Sequence, residues 1–394
     1  MKELHTDILI VGAGLSGLIS AFALSDLNKK IILIDRFDFL SKKENKVDLR
    51  TTAIAEGSKD FLKNIKIWDF LDNYAEPIKK INVFDRTTER KIKFENQVIN
   101  KNLGYIIKNS LIKKTILTKI RKIKNIKCIT NSVLINIKNH NNYIEANFDK
   151  LSINSQLLIA ADGKNSSVRD ILKTKQYKKN YNHNAIVVNF SHTKNHKNIA
   201  HELFYKSGPL AILPMKQTQD KLYSSSTIWS NNDQNFPKKK FVQNNIFKEV
   251  LNEKIKKYTG EIKKIDGIQM FPLSAHINHN FYEDRVIYIG DSAHSIHPIA
   301  GQGWNLGLRD ISNCLSAFKE NKKLGLEVGS SFFCKKYNDN TYYDAFSLFQ
   351  ITDKLNMVFM SDDLLSNSFR KAGFKIIDNN AIIKNYITNF AMGV

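Results

Sequence analysis

The chain has 394 residues, 42% hydrophobic and 25% charged, too long for one small core and too ordinary for a disordered, collagenous or disulfide-stapled protein. It contains no run of about 18 apolar residues, which excludes a helical membrane span. Its 60 Lys and Arg outweigh 38 Asp and Glu to give +22, a balance that suits nucleic acid, an anionic membrane surface or acidic partners.

The opening reads as strand, turn, helix, strand. Residues 7–11 form a short β run, 12–17 a glycine turn, 18–27 a helical pattern and 31–34 a second buried strand ending at Asp35. Lys2 followed by apolar residues through Leu24 imitates a signal peptide, but Asp7 and the patterned glycines interrupt it, and a βα start explains it better. Three alternating runs from about Ile126 to Phe148 predict a β-meander, and Leu157 to Ala160 a further strand. Residues 185–229 are strand-rich, and 238–258 read as a basic amphipathic helix. Residues 285–289 form another buried strand before a glycine-rich turn and a helix over about 301–318. Beyond Glu327 the pattern is mostly helical. No internal repeat or low-complexity linker appears. Glycine-rich turns near both residue 12 and residue 290, with β-rich sequence between, predict a discontinuous α/β domain with a second domain inserted.

Gly12, Gly14 and Gly17 form GxGxxG after a strand and before a helix. The first glycine permits the turn, the second lets a pyrophosphate approach the backbone, and the third lets helix and strand pack closely. Asp35 follows Gly12 by 23 residues, where a carboxylate accepts from ribose hydroxyls. The unit points to a dinucleotide without separating NAD from FAD. Two more strand ends carry glycine and carboxylate, Asp162-Gly163 and Gly290-Asp291. Three such ends around one sheet suit a long ligand with a polyol chain. A helix start near Gly303 and Asn305 can stabilise negative charge on a reduced isoalloxazine.

These segments resemble the group A, single-component FAD-dependent aromatic hydroxylases, and within them the ubiquinone-biosynthesis hydroxylase family. The residues that carry the likeness are the GxGxxG at Gly12, 48–54, 103–107, Asp162-Gly163, 290–294 and above all the run from His297 to Asp310. Phe271-Pro272-Leu273 and Ala391-Met392-Gly393 also fit. The likeness spans essentially the whole chain, with 175–266 the least distinctive sector.

The resemblance implies an α/β fold of the para-hydroxybenzoate hydroxylase (GR2) type: a discontinuous Rossmann-like FAD-binding domain, an inserted β-sheet substrate domain and a C-terminal helical segment. The expected FAD-binding parts are 1–72, 101–178 and 270–345. The substrate domain would take 73–100 and 179–269, and the helical segment 346–394. Arg50 would lie against the FAD pyrophosphate, Asp162 and Gly163 would serve both FAD and a nicotinamide donor, and Asp291 would bind the ribityl chain. Pro298, Gly301, Gln302, Gly303, Trp304 and Asn305 would surround the flavin ring. Asn109 would join the cofactor set, although Lys108 precedes it where the family often has Glu, and Trp304 replaces a smaller apolar residue. The implied reaction reduces FAD with NAD(P)H or a protein electron donor. A C4a-hydroperoxide formed with O2 then hydroxylates a prenylated phenol. No general base is singled out.

Other readings weigh against each tempting feature. Only nine of the 60 cations are Arg; codon drift in a chain rich in Lys, Asn and Ile explains the charge, and no nucleic-acid motif appears. His294 and His297 lack a third ligand, so no metal is expected. Cys128, Cys314 and Cys334 show no CxxC and fit a reducing cytosol. The stripe Ile112, Ile116, Ile120 and Ile123 within the basic stretch 101–127 reads as core. The apolar tail (Leu355, Met357, Val358, Phe359, Met360, Leu364, Leu365) is open to three roles: lid over a substrate entrance, rest on a bilayer, or cap of the fold. A cytoplasmic protein resting on the inner face of the inner membrane, alone or with other ubiquinone-biosynthesis enzymes, is compatible with these features. Two functional alternatives stay open: a hydroxylase of a small soluble aromatic, and a largely non-catalytic flavin-binding component. The Trp-x-Trp-x-Ile-Pro element of flavin halogenases is missing.

Overall fold

The computed structural model describes residues 2–41, 48–96, 101–219, 221–231, 245–361 and 363–393. The run Ile8-Leu9-Ile10-Val11 is buried on both faces, as a central parallel strand covered by helices must be. Its strand, Lys2–Val11, pairs in parallel with Leu151–Ala160 on one side and Ile31–Ile34 on the other. Val286–Tyr288 extends the sheet beyond the first, and Ile126–Ile129 beyond the second. Val11 lies opposite both Ala160 and Ile34, and Ala160 opposite Tyr288. Gly12, Asp35, Asp162 and Gly290 therefore emerge along one edge, where the carboxyl ends of parallel strands receive ligands.

One sequence expectation is corrected here. Only Leu134–Asn139 and Ile144–Phe148 form an antiparallel ribbon, which continues onto Leu151–Ala160. The third predicted meander strand, Ile126–Ile129, joins Ile31–Ile34 in parallel instead. A four-residue alternating run fits either pairing, and the preceding helix Asn109–Ile120 supplies the crossover that a parallel partner needs. That helix buries Ile112, Ile116 and Ile120, so the stripe is core.

A second sheet of eight strands holds Lys80–Asp85, Arg90–Glu95, Gln176–His192, Ile199–Tyr205, Gly208–Gln219, Leu222–Asn231, Ile262–Asn278 and His294–Ser295. Strand alternation divides its side chains between two faces. On one, Val188, Phe190, Leu203 and Trp229 pack against Phe247, Leu251 and Ile255 of helix Asn245–Thr259. The expected start of that helix, 238–244, lies outside the described residues. The other face carries Val83, Ala200, Glu202, Phe204, Ala211 and Ile228.

Several ties hold this second face to the rest of the molecule. Leu49 donates its N–H to Gln269 Oε1 at 3.0 Å and accepts at its carbonyl from Asn189 Nδ2 at 2.8 Å. A small sheet of Thr51–Ala55, Gly104–Lys108 and Glu76–Ile78 packs Ala53 and Ile106 into a cluster with Ala200, Leu213 and Met215. Finally, Phe359 stacks on Phe204 with ring centroids 3.7 Å apart.

Phe359 belongs to helix Ser331–Met360, the first of three that end the chain with Leu364–Asn379 and Ala381–Met392. Arg370 locks this tail. Its guanidinium donates to the carbonyls of Val358, Phe359 and Ser361 at 2.9–3.0 Å, satisfying the exposed end of the long helix. It also lies 3.4 Å from the Asp85 carboxylate, with both side chains buried. Removing one member of a buried pair strands the other charge. Arg370→Ala is therefore expected to destabilise by about 3–5 kcal/mol in denaturant titrations. An added Asp85→Ala should recover part of that loss; strict additivity would show that the pair is not coupled.

Candidate active site

The glycine turn is shaped by contacts that leave no room for a side chain. Gly12 has φ +104°, and a Cβ there would strike the Ala161 carbonyl; a Cβ on Gly17 would strike the Gly12 carbonyl. Gly14, in contrast, faces open space. It N-caps helix Leu15–Leu24 with no side-chain cap and no acidic residue in the first turn. The free N–H groups and the positive end of the helix thus point into an open groove, the arrangement that takes a phosphate. Asp35 stands beside it. Its Oδ2 accepts from the Ala13 N–H at 2.6 Å and its Oδ1 from the Phe37 N–H at 2.9 Å, so the carboxylate also braces the turn.

Further along the edge, Arg50 pairs bidentately with Asp48, Nε to Oδ1 at 2.9 Å and Nη2 to Oδ2 at 2.8 Å. Its guanidinium lies 5.3 Å from the centre of the Phe271 ring. The hydrogen bond to Asp48 holds the Arg50 pKa above its ordinary value, and Asp291 adds to the effect. Asp291 is exposed at the start of its loop, close enough to Arg50 and Lys164 for their charges to act on it. Desolvation raises its pKa against the opposing pull of His294, Arg50 and Lys164. Arg50, Lys164 and Asp291 therefore share one cleft. Asn109, which follows Lys108, is buried, and its Oδ1 accepts from Thr52 Oγ1 at 2.5 Å.

Asp162 is pushed up by burial; its Oδ2 accepts from the Val168 N–H at 3.2 Å. The loop that follows is pinned by Arg169, which donates to the Lys164 carbonyl at 2.6 Å and the Ser292 carbonyl at 3.2 Å. One residue thus ties the 162–169 loop to the 290–294 loop.

The second glycine loop has its own internal anchor. Asp310 Oδ2 accepts from the Gly290 N–H at 2.8 Å and meets His294 Nε2 at 2.7 Å. Burial opposes protonation of His294, but the charge and hydrogen bond of Asp310 outweigh it and raise the His pKa. Asn305, at the start of helix Gly303–Lys323, donates to the Ala53 carbonyl and accepts from the Ala55 N–H, both at 2.9 Å. Its amide thereby acts as a strand-like partner for residues 53–55, and its Nδ2 also reaches the Gly301 carbonyl at 3.4 Å. Pro298 begins the 3-10 turn that leads there. Gln302 donates to the Ala391 carbonyl at 3.0 Å, so the last helix rests on this loop. Trp304 is half-buried, its indole N–H without a partner among the described residues.

From sequence, His297 is weighed only as half of a metal pair, and Tyr181 and Glu202 are not singled out. His297 is buried with both ring nitrogens unpartnered among the described residues, and its ring meets Tyr181 edge-on at 4.8 Å. Tyr181 donates to Asp353, which also binds Lys179. The strand carrying both bulges between Asn180 and His183, and a bulge re-aims side chains in a way that sequence alternation hides. Glu202 had a visible signal: it is a carboxylate in strand phase with Ala200 and Phe204. Among the described residues no group of three or more His, Cys, Asp or Glu is placed to hold a metal.

Asp310→Ala should remove the anchor of the second loop at a cost of about 3–5 kcal/mol, read by chemical denaturation. The raised His294 pKa gives stability that is complete below the ordinary histidine value and lost as pH rises through the higher folded one. In the variant burial is left as the largest influence on His294. That slope should therefore disappear, and stability should instead fall as pH drops through the histidine range.

The family described as FAD binding domain (FAD_binding_3) matches residues 5–323. The ubiquinone hydroxylase UbiL of Rhodospirillum rubrum is 26% identical over 98% of this chain and 89% of its own length. The mitochondrial ubiquinone biosynthesis monooxygenase COQ6 of Dictyostelium discoideum is 24% identical over 100% and 92%. Among solved structures, the p-nitrophenol 4-monooxygenase PnpA of Pseudomonas putida superposes with a TM-score of 0.79, at 16% identity, over 98% of this chain and 97% of that one. This last likeness is one of fold. The open phosphate groove, the ribose-side carboxylate and the cleft around Asp291 all fit the cofactor the family name specifies. The chain belongs to the FAD-binding-domain family, and its cofactor is FAD.

Proposed function

We propose that the protein is an FAD-dependent monooxygenase that hydroxylates the aromatic ring of a polyprenylated phenol in ubiquinone biosynthesis. The observation that carries this reading is the meeting of two surfaces. The polar strand-end cleft of Arg50, Lys164 and Asp291 lies on one side, and the largely apolar inner face of the second sheet on the other. Relatives named for ubiquinone hydroxylation match the chain almost end to end, which supports the substrate class.

In this reading Gly12, Gly14 and Gly17 with the following helix hold the pyrophosphate, and Asp35 takes the adenosine ribose. Arg50 neutralises the phosphates. Asp162 and Gly163 border both FAD and a nicotinamide donor, and Asp291 accepts from the ribityl chain. The backbone of Pro298, Gly301, Gln302, Gly303, Trp304 and Asn305 cradles the ring. Asn109 acts indirectly, through Thr52. When bound, FAD supplies reduction by NAD(P)H or a protein donor and the activation of O2. The chain's own share is to orient the phenol and keep water from the reacting faces. We assign 1–72, 101–178 and 270–345 to the cofactor domain, 73–100 and 179–269 to the substrate domain, and 346–394 to the helical segment. Strands Gln176–His192 and Ile262–Asn278 run through two of these boundaries, which makes the domains continuous there.

The test is an anaerobic-then-aerobic flavin spectrum with NADPH and a short-chain prenylphenol. Bleaching on reduction, then one oxygen atom from labelled O2 in the product, is the expected result. Flavin that neither NADPH nor NADH reduces would turn attention to a protein donor. If photoreduced flavin also gives no product, a flavin-binding role in a biosynthetic assembly replaces catalysis.

Peripheral contact with the inner face of the inner membrane belongs to the same reading. Among the described residues no helix is long and apolar enough to cross a membrane. What supports surface contact is the tail: Leu365, Phe369 and Ile376 form one outward stripe, and Ile382, Tyr386 and Phe390 another. Spacings of four or seven put each set on one face of its helix. Leu364 and Ile382 are 86% and 80% exposed. In flotation with vesicles of about 30% anionic lipid, Leu365→Ser/Phe369→Ser/Ile382→Ser should cut binding at least about fivefold while flavin content stays unchanged. Equal flotation of both proteins would remove the membrane from the reading.

A further inference from the structure

On the inner face of the second sheet, one side chain departs from its surroundings. Glu202 lies in strand Ile199–Tyr205, where Ala200 and Phe204 precede and follow it on the same face. Its cross-strand neighbours are Val83 on one side and Ala211 on the other, with Ile228 one strand further. Two of the four nearest positions are thus alanine, which leaves space around the carboxyl that larger residues would fill. The residue keeps partial contact with solvent although protein encloses it. Among the described residues it has neither an ion pair nor a hydrogen bond through its carboxylate, and burial alone pushes its pKa up to about 8. Asp85, two positions along the adjacent strand on the same face, in contrast accepts from the Thr87 N–H and the Thr88 hydroxyl and pairs with Arg370.

The face has a definite relation to the cofactor loop. Ala200 packs in one cluster with Ala53, and Ala53 adjoins Gly301, where an added Cβ would come within 3.3 Å of it. Glu202 is two residues along the strand from Ala200, about 6–7 Å at the ordinary rise. Glu202 thus lies on the same strand face as a residue that clusters with Ala53, the neighbour of the cofactor loop. An unpaired carboxyl on an apolar face costs stability, and nothing on the protein side compensates it.

We propose that Glu202 binds the ring hydroxyl of the phenolic substrate and so fixes which ring edge faces the flavin loop. The inference rests on the phenol-hydroxylase reading above and adds the residue that recognises the phenol. Only an O–H···O hydrogen bond is made. Donation by the phenol to the carboxyl also leaves electron density in the ring, which favours attack by an electrophilic oxygen. A carboxyl that is neutral near pH 7 can donate back to a neighbouring ring oxygen.

The experiment titrates FAD-loaded protein with a 2-prenylphenol bearing a two-isoprene tail, its O-methyl ether and p-cresol, following the perturbation of the flavin absorbance. Wild type should prefer the phenol to the ether by about tenfold, the value of one hydrogen bond to a buried group. In Glu202→Leu that preference should collapse to within about twofold, with the ether's affinity unchanged. Glu202→Gln, which can still donate and accept, should retain most of it. Flavin content and melting temperature certify that each variant is folded. An unaltered phenol preference in Glu202→Leu overturns the proposal, as does a wild type that binds phenol and ether alike. If p-cresol shows the Glu202-dependent preference while the prenylphenol does not bind, Glu202 stands and the prenylated substrate falls.

Discussion

Val11 lies opposite Ala160 on one side and Ile34 on the other, and the register shared by these three parallel strands sets every later distance at the site. The ladder continues past the strand ends, with the Gly12 N–H bonded to the Ile34 carbonyl and the Ala161 N–H to the Val11 carbonyl, each at 2.8 Å. The Ile289 N–H bonds to the Ala160 carbonyl at 2.9 Å. A slip of one residue in any pair would turn a buried face outward. It would also carry Asp35, Asp162 or Gly290 away from the common edge. The glycine contacts at residues 12 and 17 depend on this register too, because they are contacts between neighbouring turns. Cofactor recognition is in this sense a by-product of core packing.

The polar side chains that do not touch the cofactor region mostly brace it. Arg169 joins two loops, Asp310 anchors one from within, and Asn305 substitutes for a strand. Each is buried and each satisfies backbone groups that irregular loops would otherwise leave unpaired. Glu202 differs from all of them because it braces nothing. A chain that spends stability on an unpaired carboxyl does so where a ligand completes the bond.

Much of the cofactor site was legible because its signals are local. The glycine turn, the carboxylate at the second strand end and the run from Gly290 to Asp310 each lie within a few dozen residues, and strand and helix periods bracket them. The likeness to flavin hydroxylases rested on those same segments. What escaped was long-range or hidden by ambiguity. The run Ile126–Ile129 was assigned to the wrong partner because its alternating pattern fits parallel and antiparallel pairing alike. The Arg370–Asp85 pair and the contact of Tyr181 with His297 join segments that carry no mark of each other. Glu202 was visible as a carboxylate in an apolar phase, but only the sheet order shows what that phase faces. The basic excess, prominent in the composition, is spread over surface side chains and settles nothing about the cleft.

The Asn305 clip has a consequence for how the molecule is made. Its bond to the Ala53 carbonyl joins positions 252 residues apart. Strand 51–55 pairs early along one edge with 104–108, but its other edge waits for most of the chain, and contacts of that separation form late. During synthesis the glycine turn at residue 12 can form early, but the floor beneath the substrate cannot. The nascent protein thus passes through a long interval in which half the nucleotide groove exists without the surface that would make a bound flavin reactive.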